Sequence, residues 1–395
     1  MKKLLLLVIT VLAIETTFAQ GTEFEKTTFE QALAKAKKEN KLLFMDCYTS
    51  WCAPCKILAN NIFPKEEVGS LFNASFVNYK IDMESEEGMP LAKKYKVRVF
   101  PTLLWLDGDG EVKHKQLGAG TTKKLLDGAK LALDTENNWS GMQKRFLEGD
   151  HSIEFLLAYL QFGIKIRHDV SEASELYFAQ KEMKELINDT DRALIMGIVR
   201  SSSDPLFQFM FENREQFYKI EREGGDLLYN TSRIISYFER VMKHDLVMAG
   251  KDSEQALTTK KKELIAMNAQ MASKVAVYYD LDQINEDEEA DKNKVYESIL
   301  NYVTTYEKDN TSQLYKAIKS VSTKSANKKI MKEALELCEH YLDLDTNYFV
   351  FDLKVLALHH AGKEKEALKL AEKVIKMTPE DKMPSSVSAL LLNKE

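Results

Sequence analysis

Cysteine is scarce in this chain of 395 residues: there are four, at positions 47, 52, 55 and 338. So few cannot form the disulfide framework of a small secreted scaffold, and a chain this long can build cores that need no such staples. An excess of basic charge is missing as well. The formal net charge is -6, and Lys and Arg are interspersed with Glu and Asp. That pattern describes solvated helix faces and leaves no electrostatic footprint for nucleic acid. No Gly-rich phosphate loop occurs, so no nucleotide cofactor is expected. The longest apolar run, residues 4–14, would rise about 16 Å as a helix, roughly half of a hydrocarbon core, and it stops at Glu15. Glycine and proline also thin out: after Gly225 only Gly250 and Gly362 remain, and after Pro101 only three prolines follow. The punctuation that sheets require therefore ends early, and the remainder reads as helices.

What is present begins with a targeting pattern. Lys2 and Lys3 form a basic start, residues 4–14 an apolar stretch, and Thr17-Phe18-Ala19 a small-residue cleavage site. The expectation is a signal peptide at 1–19 cut before Gln20, giving a soluble exported protein, periplasmic or extracellular. An uncleaved anchor or a buried helix is the alternative. No cysteine follows the apolar run, so a lipoprotein anchor is not indicated.

Residues 20–133 alternate between strand-like and helix-like patterns. Thr28-Phe29-Glu30-Gln31 has the form of a capping box and opens a helix that stops near Asn40. Residues 41–46 are a short apolar run expected as a buried strand, and a helix is expected around Cys52 to Cys55 because Pro54 is tolerated in a first turn. Strands are expected at 75–81, 102–106 and 111–117, the last two joined by the turn residues Asp107-Gly108-Asp109-Gly110, and helices at 86–95 and 121–133. Such an order implies an α/β unit with a mixed sheet flanked by helices. Residues 134–150, with Asn137-Asn138, Gly141 and Gly149, read as a linker to a helical domain at 151–395.

The stretch from Asp46 to Lys56 carries the chemistry. Cys52 stands at a helix start, where free N–H groups and the positive end of the macrodipole favour a thiolate, so it is the expected nucleophile. Cys55, on the same turn, is placed to attack a mixed disulfide formed by Cys52, as the resolving thiol. A zinc site is the competing reading of this pair. It would need a second Cys or His pair, and the closest histidine in sequence is His114, so metal binding is not expected. Cys47, on a buried strand, reads as a small hydrophobe rather than a third redox thiol.

Trp51-Cys52-Ala53-Pro54-Cys55-Lys56, with Val99-Phe100-Pro101-Thr102 downstream, resembles the thioredoxin family. The resemblance covers about residues 24–133. Asn61-Ile62-Phe63 and Glu66-Glu67-Val68 are similar to the longer second helix of its protein-disulfide reductase type. The resemblance implies a thioredoxin-like fold and a cis-proline at Pro101, which with Phe100 and Trp51 would meet substrate. It also implies that Asp46 is a buried acid that moves a proton. Where the family commonly has a lysine near that acid, the alignment puts Asn78, with Lys80 two residues on. Neither residue between the cysteines is the His that strong oxidants of this fold tend to have, which leans toward reduction.

Near the C-terminus, residues 333–339 match 366–372 at an offset of 33. This is similar to the second helix of tetratricopeptide repeats, expected near 314–380 with Gly362 at a turn and Pro379 at an end. An ordinary helical bundle is the alternative. Together these features lead to an exported protein-disulfide reductase with an α/β domain followed by an all-α, partly tetratricopeptide-like domain. Its partners would be disulfide-containing proteins, a membrane thiol-reductant donor and a protein bound by the helices. A disulfide oxidase or isomerase, or an adaptor with incidental redox activity, stands as the other reading.

Overall fold

The capping box at Thr28 forms as written. In the computed structural model the Thr28 hydroxyl accepts the Gln31 N–H at 3.3 Å, and the Gln31 side chain accepts the Thr28 N–H at 3.4 Å. Helix α1 (Phe29–Glu39) follows and ends at Asn40 in a left-handed conformation, φ 51°, that asparagine tolerates. The structure describes residues 21–220, 227–325, 327–345 and 348–377. The expected leader at 1–19, the cleavage point before Gln20 and Pro379 lie outside the described residues.

Strand β1 (Leu42–Tyr48) pairs in parallel with β2 (Phe76–Asp82) and antiparallel with β3 (Thr102–Leu106), which pairs antiparallel with β4 (Val112–Leu117). The sheet is therefore mixed, in the order β2-β1-β3-β4. Side chains alternate across it, as strand geometry requires. Leu43, Met45 and Cys47 enter a core with Phe29, Ala32 and Leu104 on one face. Phe44 enters a second core with Phe72, Leu103, Trp105 and Leu125 on the other. Burial on both faces explains why β1 is apolar at nearly every position rather than at every second one.

The connecting helices are α2 (Ala53–Ile57), α3 (Glu66–Ser75), α4 (Gly88–Lys94) and α5 (Thr122–Leu133). The longer helix expected after the cysteines is interrupted. Past α2 the chain widens into a π-helical turn, Leu58–Ile62, and α3 starts afresh. Pro64 explains the break, since it has no N–H to donate to a continuing helix, although Phe63 before it still keeps helical angles, φ -59° and ψ -32°.

Residues 134–150 are not a linker. They hold helix α6 (Trp139–Leu147), whose Trp139 is buried against Tyr159 and Phe162. The Asn and Gly that suggested flexibility are capping chemistry. Asn138 accepts the Gly141 N–H at 2.8 Å, and a Cβ on Gly141 would lie 2.3 Å from the Thr135 carbonyl oxygen. The chain divides instead after Ile198. Helices α7 (Ile153–Lys165), α8 (Ser171–Phe178) and α9 (Asp189–Ile198) thus belong to the first unit.

The second unit is helical throughout its described residues. It runs through α10 (Pro205–Glu212), α11 (Arg214–Tyr218), α12 (Leu227–Asp252), α13 (Glu254–Met267) and α14 (Ala269–Glu286). It continues with α15 (Lys292–Tyr306), α16 (Thr311–Ser322), α17 (Lys328–Leu344), α18 (Tyr348–His360) and α19 (Glu364–Met377). The matched segments fall on α17 and α19, and their equivalent positions Ala334 and Ala367, and Cys338 and Ala371, are all fully buried. Gly362, with φ 77°, makes the turn between α18 and α19.

Phe44 is fully buried at the centre of the sheet. Phe44→Ala is expected to lower the stability of the first unit by about 3–5 kcal/mol. Leu147→Ala, at a side chain 83% exposed, should change it by less than about 0.5 kcal/mol. Chemical denaturation of the two variants checks both values.

Candidate functional site

Strand β1 runs out at Tyr48 into the turn Thr49-Ser50-Trp51, and Cys52 then caps α2. Its Sγ accepts the Cys55 N–H at 3.2 Å, and Pro54 occupies the first helical turn, where no N–H is needed. Cys52 and Cys55 form a disulfide with their Cα atoms 5.3 Å apart. Both residues are almost covered, at 3% and 5% exposure, so an exchange partner reaches the sulfurs only through what frames them.

Trp51 is the largest part of that frame. It is 62% exposed, so it is not a core residue. Its Nε1 donates to the Glu84 carboxylate at 2.9 and 3.0 Å, and its ring meets Phe100 edge-on at 5.9 Å. The Phe100–Pro101 bond is cis. The loop is tied down at both ends, with Thr102 Oγ1 donating to the Val99 carbonyl at 2.6 Å and the Gly118 N–H to the Pro101 carbonyl at 2.9 Å. Thr102 stands opposite Cys47 across β1 and β3, so Pro101 lies at the end of the sheet from which β1 leads to the cysteines. Glu84 was not foreseen. It lies 33 residues from Trp51, and nothing local in the sequence links them.

Asp46 is buried on β1, and its Oδ1 has no hydrogen-bond partner. It lines a cavity of about 700 Å³ together with Cys55, Lys56, Thr49 and Lys80. Burial raises its pKa to about 7, and the Lys80 cation draws it partly back. Lys80, not Asn78, takes the lysine position, because Asp46 pairs with Lys80 in the parallel register while Asn78 faces Phe44 and bonds Asn73. Residues 21–24 help wall the cavity, with the Thr22 N–H donating to the Phe63 carbonyl at 2.7 Å. Thr22 Oγ1 and Thr49 Oγ1 are also buried without partners, which makes the cavity polar enough for water to bridge its groups. These two hydroxyls carried no signal in the sequence. Cys47 lies in the opposite core, where burial and the charge of Asp46 push its thiol well above its ordinary value. Cys338 is pushed up to about 12 by burial. Neither is a ready nucleophile.

Residues 20–130 match the Thioredoxin family model. Thioredoxin H4 of Arabidopsis thaliana is 37% identical over 87 residues, which is 22% of this chain and 68% of that protein. Thiol:disulfide interchange protein DsbD of Pseudomonas fluorescens is 28% identical over 86 residues, 22% of this chain and 15% of that protein. Among solved structures, a candidate disulphide-isomerase from Bacteroides thetaiotaomicron shows 44% identity with a TM-score of 0.28, covering 30% of this chain and 98% of that one. The match takes in only half of another curated relative, thioredoxin F2 of Arabidopsis thaliana. The chain belongs to the thioredoxin family.

A carboxyl whose folded pKa lies near 7 binds a proton that the unfolded chain has released above about pH 4, so its burial costs stability increasingly as pH rises through that window. Asp46→Asn should therefore be more stable than the parent at pH 8, on the order of a few kcal/mol, with the gain fading toward pH 4. Denaturant midpoints across pH measure this. A gain that does not change with pH would contradict the assignment.

Proposed function

We propose that this thioredoxin-family chain is an exported thiol-disulfide oxidoreductase that reduces protein disulfides. The observation that carries the reading is the Cys52–Cys55 disulfide at the start of α2 with a buried carboxyl, Asp46, sharing the cavity of Cys55. In the dithiol state the Cys52 thiolate attacks a substrate disulfide, one substrate sulfur leaves as a thiolate that takes up a proton, and a mixed disulfide remains on Cys52. Asp46 accepts the Cys55 proton, and a carboxyl that titrates near 7 is matched to that task at neutral pH. The Cys55 thiolate then attacks Cys52 Sγ. This restores the Cys52–Cys55 disulfide and releases the second substrate sulfur, which leaves the substrate with two more electrons. Trp51, Phe100 and Pro101 frame the approaching chain, with Pro101 offering backbone groups to it.

Several features support the finer parts of this reading. Ala53 and Pro54 between the cysteines include no His, which fits a reducing pair. Lys2 and Lys3, the apolar run and Thr17-Phe18-Ala19 fit export. An exported reductase must be recharged from outside its own compartment, which calls for a membrane thiol donor, and the likeness to a thiol:disulfide interchange protein fits exchange between thiols and disulfides. The helices carrying the matched segments fit a tetratricopeptide-like surface that binds a protein partner.

The Cys52/Cys55 couple is expected near the roughly -270 mV of reducing members of this fold. Equilibration with glutathione measures it, and a value near about -120 mV would assign the protein to disulfide formation. Cys55→Ser should accumulate mixed disulfides on Cys52, visible on non-reducing gels, and Cys52→Ser should accumulate none. If the double Ser variant keeps the cellular function, the protein acts as an adaptor instead.

A further inference from the structure

A second cavity, of about 650 Å³, lies in the first unit on the side of the sheet away from Asp46. Its floor is Leu104 on β3 and Lys115 on β4, and its rim comes from the chain after α4 and from α6 and the segment after α7. Four basic side chains line it: Lys96, Arg98, Lys115 and Arg167. Some cations of this chain are held by carboxylates, as Lys181 is by Asp191 and Lys274 by Glu239 and Glu307. Among the described residues none of these four is paired with a carboxylate. Two acids also line the cavity. Asp169 is engaged by Ser171, whose N–H and Oγ donate to it at 3.1 and 2.6 Å; Glu111, like Lys96, Arg98 and Arg167, is exposed at the rim, and Lys115 is half-buried at the floor.

The cations act on one another. Burial holds the Lys115 pKa below its ordinary value; Cys47 opposes this, and the neighbouring Arg167 adds to it. Burial also lowers His168, and Lys115 and Lys96 lower it further against the pull of Asp169. Four cations against two carboxylates leave the cavity net positive, which favours an added anion. Lys96 and Arg167 are moreover held at φ 51° and 57°, a region where glycine or asparagine is usual. The opposite wall is apolar. Trp139 stacks on Phe162 and meets His168 edge-on at 4.7 Å, and Ile166 is buried beside them.

The geometry points to a binding site for a small organic anion, with a phosphate or carboxylate group held by Arg98, Lys115 and Arg167 and an apolar body against Trp139 and Ile166. The cavity has the size of ordinary small-molecule sites. Its far wall belongs to α6 and the segment after α7, elements that lie beyond the residues matched to the family. The site is separate from the redox reading, since no cysteine lines it.

Titration calorimetry on the full chain with phenyl phosphate, benzoate, inorganic phosphate and benzyl alcohol tests this. Phenyl phosphate or benzoate should bind saturably, one per chain, and whichever binds more tightly names the anionic group. Arg98→Gln and Lys115→Gln should each weaken that binding about tenfold while the circular dichroism of the fold is kept. Cys52→Ser/Cys55→Ser should leave it unchanged. The assignment is overturned if neither aryl anion saturates, or if inorganic phosphate or benzyl alcohol binds equally well. It is also overturned if both charge variants bind like the parent, if binding is lost with the cysteines, or if an acidic decapeptide binds more tightly than either aryl anion.

Discussion

Burial of β1 on both of its faces is the constraint from which the first unit follows. A strand covered on both sides has no place for a charge, yet Asp46 interrupts this one between Met45 and Cys47. The carboxyl is there at a cost, and its proton is the means by which the cost is limited. Because β1 also ends at the cysteine turn, the same strand leads into the disulfide and places the acid in the cavity that Cys55 lines. The parallel partner β2 brings Lys80 opposite, which limits how far burial can raise the acid.

The elements after α5 change what the α/β core can offer. Helix α6 packs through Trp139, and with the turn after α7 it walls a cationic cavity on the opposite side of the sheet from the disulfide cavity. One sheet therefore presents two chemically unlike spaces. The one beside Cys55 holds a titrating carboxyl, and the other gathers basic side chains beside aromatic rings. Neither depends on the other for its groups, although β1 and β3 separate them.

Local physics made much of the fold readable. The capping box at Thr28, the turn residues 107–110 and the apolar strand runs each act within a few residues, so their signals are intact in the sequence. The supposed linker shows the limit of the same reasoning. Asn137-Asn138 and Gly141 have the composition of a flexible joint, and the structure uses them to cap a helix and to let backbone approach backbone. Composition cannot separate those uses, because both draw on the same residues for conformational freedom.

By itself the sequence determined the cysteine pair at a helix start, the cis-proline loop through its resemblance, the α/β order and the helical remainder. These rest on contacts between near neighbours or on residue types with few other uses. Tertiary structure alone decided that Lys80 rather than Asn78 stands opposite Asp46, that Glu84 holds Trp51, and that four cations meet in one cavity. Each of these joins residues far apart in the chain, and strand register, which no local signal encodes, sets which side chains share a face.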